Sequence, residues 1–176
     1  MGRELREPIG GIVALDKAID RSVAKLRKPP LLKAAELITI LGSGPLFIAV
    51  SFVLLLICSE SCRAIIYAAL TAEIFELSLI ISLRYLTKRE RPQPQHGGRF
   101  FTDWNRYSFP SLHASRMFML AIFIGAHWQF AAPYLLATAF VIGATRIFLG
   151  KHYLSDVIAG TGIGGLVATA VLSLNA

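Results

Sequence analysis

One histidine and one aspartate near the end of the chain have the spacing of a nucleophile and its orienting partner. His152 and Asp156 are four residues apart, so on one helix they would lie on the same face with their side chains in contact. A carboxylate beside an imidazole can hold one ring nitrogen protonated and leave the other free to attack. Taken alone, the pair is more typical of a structural hydrogen bond at the membrane interface.

Three arginines strengthen the chemical interpretation. Arg84, Arg91 and Arg146 each lie next to an apolar stretch. A transferring phosphoryl group spreads its negative charge over three oxygens, and planar guanidinium groups bind such oxygens in pairs. Any one of these arginines is compatible with an ordinary membrane-edge residue. Three of them meeting the histidine and the aspartate at one face favour a phosphate site.

His113 and Ser111 add a proton donor and a hydroxyl group. His113 begins an apolar stretch, and a histidine opposite a nucleophile is suited to protonate a leaving oxygen. Ser111 can donate a hydrogen bond to phosphate. It can also cap a helix, because Pro110 before it favours an extended entry and serine is a preferred N-cap residue. The two roles of Ser111 are compatible.

The elements that position these residues are mostly apolar. Of the 176 residues, 55% are hydrophobic and 16% are charged, against roughly a quarter charged in soluble domains. About 20 apolar residues suffice for a helix to cross a membrane. Five stretches qualify, namely 41–58, 63–83, 113–130, 131–149 and 154–174. The sequence therefore predicts an all-α integral membrane protein with about five transmembrane helices, forming one domain over residues 1–176.

The N-terminal segment, residues 1–35, has a different pattern. Leu15, Ile19, Val23 and Leu26 recur at helical spacing with charged residues between them. This pattern predicts an amphipathic helix, which lies either along the membrane surface or on the protein's own loops.

The charges indicate which side of the membrane the clusters face. Because successive spans reverse direction, the N-terminus, the segment 84–108 and the segment 146–156 fall on one side. That side has 17 of the 18 Lys and Arg residues, and only Arg63 is on the other. The positive-inside rule makes the crowded side cytoplasmic, so we expect a cytoplasmic site. Attraction to anionic headgroups explains the net charge of +7, so we expect membrane lipids and no nucleic acid as partners.

In order and spacing, the clusters resemble the motifs of the type 2 phosphatidic acid phosphatases, relatives of bacterial acid phosphatases and vanadium haloperoxidases. The family pattern reads Lys, six residues, Arg-Pro; then Pro-Ser-Gly-His; then Ser-Arg, five residues, His, three residues, Asp. Here the three parts lie at 84–92, 110–113 and 145–156, and the resemblance covers about 84–160.

The resemblance implies a lipid phosphatase that acts through a phosphohistidine intermediate. It implies that His152 is the nucleophile, that Asp156 orients it and that His113 is the acid. The residues it assigns to phosphate binding are Arg84, Arg91, Ser111 and Arg146. Because the arginines would supply the positive charge that a cation supplies elsewhere, we expect no metal and no other cofactor.

Three positions depart from the family pattern. Arg84 replaces lysine and Thr145 replaces serine, which keep the charge and the hydroxyl group. Leu112 replaces the glycine whose backbone would approach phosphate closely, and its side chain can narrow the pocket. This substitution motivates an alternative function, a catalytically impaired membrane protein that binds lipid phosphates.

Two substrate classes fit this chemistry, an isoprenyl diphosphate and a glycerophospholipid phosphate. The stretch Arg-Tyr-Ser-Phe at 106–109 resembles the entry to this motif in polyisoprenoid diphosphate phosphatases and favours the first class.

Two further pairs need an explanation within a membrane. Glu73 and Glu76 lie three apart in the second stretch, where an unpaired carboxylate is costly, so we expect them to face protein. A polar contact between helices or subunits is favoured over a role in handling substrate or ions. Cys58 and Cys62 flank the first turn, where two free thiols are favoured over a disulfide.

Overall fold

The computed structural model describes residues 6–93 and 104–174. Within these ranges the regular structure consists of helices, with one isolated β-bridge between Glu90 and Tyr107. The α-helices are α1 (Arg6–Ala24), α2 (Pro29–Thr39), α3 (Gly44–Ile57), α4 (Glu60–Thr87), α5 (Leu112–His127), α6 (Ala132–Phe148) and α7 (Leu154–Leu174). The predicted all-α class is confirmed.

Local sequence explains where several helices begin and end. A proline occupies one of the first two positions in α2, α3 and α6, where its missing N–H group is not needed. Ser43 caps α3 by accepting a hydrogen bond from the Leu46 N–H group at 3.4 Å. Helix α4 ends at Thr87, because Lys88 has a positive φ of 46° and turns the chain out of the helix.

In the part of the chain that the structure describes, three helices are long and apolar enough to cross a membrane: Glu60–Thr87, Gln129–Phe148 and Leu154–Leu174. The pair Pro29–Gly42 and Gly44–Ile57 is bent by 46° and raises the number to four if it counts as one span. Helix α5 is apolar but has only 16 residues. All five predicted stretches are therefore largely helical, while the number of five spans stays a prediction.

Helix α5 lies at the centre and packs against α6 and α7. Met119 and Phe123 of α5 are buried with Val167 and Ala168 of α7. The approach of α5 and α7 is very close because α7 has glycines at 160 and 164. A Cβ atom on Gly160 would overlap the carbonyl oxygen of Ser111, the residue before α5, and one on Gly164 would overlap that of Ser115 in α5. This close packing fixes the start of α7 against the start of α5.

The outer faces of the other helices remain apolar and exposed. Ile57 is 73% exposed, Phe75 62%, Tyr134 74% and Leu166 72%. Such a surface is unfavourable in water and suits contact with lipid chains.

The two glutamates of α4 face protein, as expected. The Arg116 guanidinium donates two hydrogen bonds to the Glu73 carboxylate, one of them 2.8 Å long, and a third to the Gly42 carbonyl oxygen at 2.7 Å. Glu76 accepts a hydrogen bond from the Ser115 hydroxyl group. These polar contacts join α4, α5 and the bend before α3 inside the apolar part of the molecule.

The end of the molecule away from the three motifs contains the short turn between α3 and α4. Arg63 donates to the Leu55 carbonyl oxygen at 3.0 Å and to Glu60 at 2.8 Å. Cys58 and Cys62 form no disulfide here, and their Sγ atoms lie 2.6 Å apart. That they are two free thiols stays a prediction.

Helix α1 packs on the C-terminal end of α6 and the start of α7 through polar side chains. Arg27, which follows α1, donates to the carbonyl oxygen of Phe148 at 2.7 Å and to Asp20 at 2.5 Å. Leu15 and Leu26 of the predicted apolar stripe are exposed, at 58% and 59%. The helix therefore contacts the protein with one face and leaves much of its apolar stripe open. Its position at a membrane surface stays a prediction.

Candidate active site

The three predicted clusters meet at one end of the helical bundle. Arg84 lies at the end of α4, His113 at the start of α5, Arg146 at the end of α6, and His152 just before α7. Together with Arg91 they line one cavity of about 740 Å³. The other two predicted residues, Ser111 and Asp156, are fully buried beside it, and the Ser111 N–H group donates to the Asp156 carbonyl oxygen at 3.0 Å.

His152 lies on the turn between α6 and α7 and not on the helix that was expected to hold it. Helix α7 begins at Leu154, because the Asp156 carboxylate accepts from the Tyr153 N–H group at 2.8 Å and caps the helix there. Gly150, with a φ of +63°, turns the chain just before the histidine. The spacing of four residues therefore does not place the pair on one helical face.

The hydrogen bonds of His152 define its reactive nitrogen. Nδ1 lies 2.7 Å from the Ser108 carbonyl oxygen. A carbonyl oxygen can only accept, so Nδ1 carries the proton and Nε2 of the neutral ring is unprotonated. Nε2 accepts a hydrogen bond from Nη1 of Arg91 at 3.3 Å. The unprotonated nitrogen, which a nucleophilic attack requires, thus borders the arginine-lined cavity.

The surroundings of His152 keep the ring neutral. Its side chain is buried, and burial lowers the pKa of His152 well below its ordinary value of 6.5. The positive charges of Arg91, Arg146 and Arg84 lower the pKa further, because protonation would add a fourth cation. At neutral pH the ring is therefore unprotonated at Nε2, as a nucleophile requires.

Asp156 is close to His152 but is bound mainly by other groups. One carboxylate oxygen accepts from Arg89 at 2.6 Å and the other from the Tyr153 N–H group. The distance from Oδ2 to Nδ1 of His152 is 3.8 Å, too long for a hydrogen bond. Asp156 can act on the ring through its charge at this distance, while the Ser108 carbonyl oxygen holds the ring's orientation. The orienting role of Asp156 stays a prediction.

Arg84 and Arg91 are held by neutral acceptors. Arg84 donates to the Pro110 carbonyl oxygen at 3.0 Å and to the Asn105 amide oxygen at 3.3 Å. Arg91 donates to the backbone oxygens of Asn105 and Lys151, both at 2.7 Å. Burial lowers the pKa of Arg91 to about 10, so the guanidinium stays charged at neutral pH. These bonds fix the planes of both guanidinium groups without cancelling their charge.

Arg146 and Ser111 have unused hydrogen-bonding capacity. Nη1 of Arg146 donates to the Thr39 hydroxyl oxygen at 3.1 Å. Among the described residues, Nε of Arg146 and the hydroxyl group of Ser111 are buried without a partner. Within the same ranges no carboxylate pairs with Arg84, Arg91 or Arg146. The cavity therefore has a concentrated positive charge and a spare buried donor.

His113 and Leu112 form a neighbouring part of the cavity wall. The His113 ring also packs at the bend before α3, where a Cβ atom on Gly42 would come within 3.3 Å of its Cδ2 atom. Leu112 is 7% exposed, and its side chain occupies the position at which the family pattern has glycine. The expected narrowing of the pocket is compatible with this placement.

Residues that sequence reasoning missed complete the site. Arg89 binds Asp156, and Trp104 lies against the Arg84 guanidinium, 5.0 Å from ring centroid to Cζ. Arg89 lies within the first motif and Trp104 between the first two, so their nearness to the motifs in sequence was the available signal. Asp16 lies 139 residues before its partner Ser155, and nothing local in the sequence indicates that contact.

Within residues 6–93 and 104–174, no three His, Cys, Asp or Glu side chains lie close enough together to hold a metal ion. The metal-free mechanism stays a prediction that rests on the arginines.

Comparison with known proteins agrees with the geometry. The chain is 27% identical to a probable lipid phosphate phosphatase beta of Arabidopsis thaliana, over 89% of this chain and 86% of that protein. It is 26% identical to dolichyldiphosphatase 1 of Plecturocebus moloch, over 78% of this chain and 63% of that protein. The fold matches a transmembrane phosphatidylglycerolphosphate phosphatase of Bacillus subtilis with a TM-score of 0.73, 22% identity, and coverage of 94% and 86%.

The family model described as the PAP2 superfamily matches residues 48–176, which include all three motifs. The resemblance seen in the motifs is thereby confirmed over a longer part of the chain. This integral membrane protein belongs to the PAP2 superfamily, and the relatives it matches are phosphatases of lipid phosphates.

Proposed function

We propose that this protein hydrolyses the phosphate or diphosphate group of a membrane lipid through a phosphohistidine intermediate on His152. One arrangement carries the proposal. The unprotonated Nε2 of His152 borders a cavity lined by Arg84, Arg91 and Arg146, none of which pairs with a carboxylate in the described ranges. Buried cations without counter-charge are costly, and a bound phosphate would supply that charge.

The reaction has two steps. A bound phosphate supplies negative charge that lets His113 take up a proton. The lone pair on Nε2 of His152 attacks phosphorus, an N–P bond forms, and the bond to the leaving oxygen breaks as the protonated His113 gives that oxygen its proton. Water then gives a proton to His113 and attacks phosphorus, and the N–P bond returns its electron pair to Nε2. The products are inorganic phosphate and the lipid alcohol or lipid monophosphate. The Asp156 carboxylate, 3.8 Å from Nδ1, favours the positive charge that the ring gains.

The lipid tail would leave the site along the apolar wall of the same cavity. Phe47 and Ile48 of α3 face Leu70, Ile74 and Leu77 of α4 across this part of the cavity. An acyl or isoprenyl chain fits such a wall, while its phosphate remains among the arginines. This combination of an apolar groove and a cationic end supports a lipid over a small soluble phosphate ester.

The substrate class is tested by phosphate release from a lipid panel in detergent. The panel contains an isoprenyl diphosphate, phosphatidate and phosphatidylglycerol phosphate, and the stretch at 106–109 favours the first. We expect release from at least one lipid, inhibition by vanadate, and no loss of rate in a chelator, because the arginines take the place of a cation. If no lipid releases phosphate, the proposal of an enzyme is overturned. The alternative of a lipid-phosphate-binding protein, whose pocket is narrowed by Leu112, is then favoured.

We further propose that the cavity faces the cytoplasm, as the 17 basic residues on its side indicate. The test uses a chain in which Cys58 and Cys62 are replaced by serine. Single cysteines are then placed at two exposed positions, Lys88→Cys near the cavity and Glu60→Cys at the opposite end. In intact cells an impermeant maleimide should label only the second variant. Labelling of the first from outside would reverse the proposed topology.

A further inference from the structure

Asp16 is a buried carboxylate on an otherwise exposed helix. Only 2% of its surface is exposed, although residues on both sides of it in α1 face outward. Its Oδ1 accepts from the Ser155 N–H group at 3.0 Å, and its Oδ2 accepts from the Ser155 hydroxyl group and from Arg89 at 2.7 Å. Burial tends to raise the pKa of Asp16, but the hydrogen bonds from Ser155 and Arg89 outweigh it and lower the pKa. The carboxylate is therefore ionised.

Arg89 connects Asp16 to the candidate nucleophile. Its Nη2 binds Asp16, and its Nη1 binds the Asp156 carboxylate at 2.6 Å. The guanidinium also lies over the Tyr153 ring, 4.5 Å from the centroid. Asp156 in turn lies 3.8 Å from Nδ1 of His152. A continuous chain of contacts thus runs from α1 to the reactive imidazole.

The charges along this chain give Asp16 a specific effect. Arg89 alone would cancel the charge of Asp156. With Asp16 present, the Arg89 guanidinium is shared by two carboxylates. These three side chains together keep a net negative charge beside the ring. When Nε2 attacks phosphorus, the imidazole gains positive charge, which a nearby negative charge stabilises. Asp16 also fixes the plane of the Arg89 guanidinium and so the position of Asp156.

We propose that Asp16 of α1 is a positioning residue for the His152 nucleophile, acting through Arg89 and Asp156, so that the N-terminal helix completes the active site. The family match begins only at residue 48, so α1 lies outside the part of the chain that the family model describes. This inference rests on the proposed function, because its main consequence is a slower phosphoryl transfer.

Another role for Asp16 is purely structural, since it satisfies the Ser155 N–H group in the first turn of α7 and ties α1 to the protein. Two variants separate these roles. Asp16→Asn keeps an oxygen for the Ser155 N–H group but removes the charge that Arg89 binds. Asp20→Asn is the matched control, because Asp20 pairs with Arg27, a second anchor of α1 that does not reach Asp156.

Steady-state phosphate release over a range of lipid concentrations is the first measurement. Misplaced catalytic groups typically cost up to about 100-fold. We expect Asp16→Asn to lower kcat about 10- to 100-fold with little change in KM, and Asp20→Asn to leave both close to the original values. In an Asp156→Asn background, Asp16→Asn should cost almost nothing more, because the group through which it acts is already lost. Equal effects of Asp16→Asn and Asp20→Asn, or additive losses with Asp156→Asn, would overturn the inference.

A measurement without substrate separates this inference from the proposed function. In ¹⁵N-histidine spectra of the full chain in detergent, Asp16→Asn should shift the His152 ring signals and Asp20→Asn should not, with His152→Ala identifying those signals. If the original protein releases no phosphate but the shift occurs, the proposed function fails and the coupling stands. If the protein is active and the His152 signals do not respond to Asp16→Asn, the coupling alone fails.

Discussion

Two sets of arginines differ, within residues 6–93 and 104–174, in whether a carboxylate accompanies them. The pocket arginines, Arg84, Arg91 and Arg146, donate to backbone and neutral side-chain oxygens. The paired arginines, Arg89 and Arg116, bind carboxylates. A paired guanidinium has its charge cancelled and holds elements together, whereas an unpaired one keeps its charge for a ligand. The hydrogen-bond partner of each arginine therefore indicates its role better than the extent of its burial does.

His152 lies between the two sets, with Nε2 toward Arg91 and Nδ1 toward Asp156 and Arg89, so its removal has the largest expected effect. His152→Ala removes the attacking atom, and phosphate release should fall by about 10⁴-fold or more for every lipid. The control is His127→Ala, which alters an exposed histidine at the other end of α5 and should leave the rate unchanged. Substantial residual turnover in His152→Ala would rule out the phosphohistidine route.

His113 lines the cavity together with the pocket arginines. The rate that is lost when His113 is replaced should depend on the leaving group. An alkoxide leaving a monophosphate ester is a strong base and needs a proton, whereas a phosphate leaving a diphosphate is a much weaker base. General acid catalysis is worth about 10²–10⁴-fold. His113→Ala should therefore slow lipid monophosphates far more than diphosphates in single-turnover assays. Equal losses for both substrates would indicate that His113 binds phosphate or shapes the pocket.

The comparison of the two arginine sets is tested directly by Arg91→Gln and Arg116→Gln. Arg91→Gln removes a donor to the transferring phosphoryl group, so kcat/KM should fall by about 10²–10³-fold with little change in stability. Arg116→Gln leaves the Glu73 carboxylate buried without its partner, which should destabilise the protein by about 3–5 kcal/mol. Thermal unfolding in detergent and phosphate release measure the two effects.

The double variant Arg116→Gln with Glu73→Gln supplies the control, because it removes the unpaired charge and should restore part of the stability. If Arg91→Gln proves as destabilising as Arg116→Gln, the distinction between pocket and paired arginines fails.

Much of this fold was predictable because its signals are local. The apolar stretches locate the helices. Gly42, Gly44 and Pro45 are residues that disfavour a continuous helix, and they lie at the bend before α3. Hydropathy does not reveal that α5 is the central helix, since a helix facing lipid and one facing other helices are both apolar. Ser115 and Arg116 in its first turns are the only local indication of its buried neighbours.

The candidate site likewise contains residues that the sequence predicts and contacts that it does not. Residue type and spacing identified the side chains that line the cavity, because phosphate chemistry restricts which residues serve. The acceptor of Nδ1 is a backbone carbonyl, that of Ser108, and a backbone group has no signature in sequence. The role of Asp16 has no local signal in the sequence either, because its contacts with Arg89 and Ser155 depend on how α1 packs against the start of α7.

The smallest expected effect is a shift in pH dependence caused by the pocket arginines. His152 attacks only when neutral, and burial together with Arg91, Arg146 and Arg84 lowers its pKa well below 6.5, although Asp156 lies nearby. The neutral form therefore persists as the pH falls, and the limb of kcat/KM that reports His152 should lie well below pH 6.5. Arg91→Gln removes the nearest cation, which makes protonation easier, raises the pKa of His152 and moves this limb to higher pH.

Arg91→Lys keeps the charge and should leave the limb in place. Titration of the substrate is common to all three proteins, so it cancels when their profiles are compared on one lipid. A limb that stays fixed in Arg91→Gln would mean that the charge of Arg91 does not act on His152.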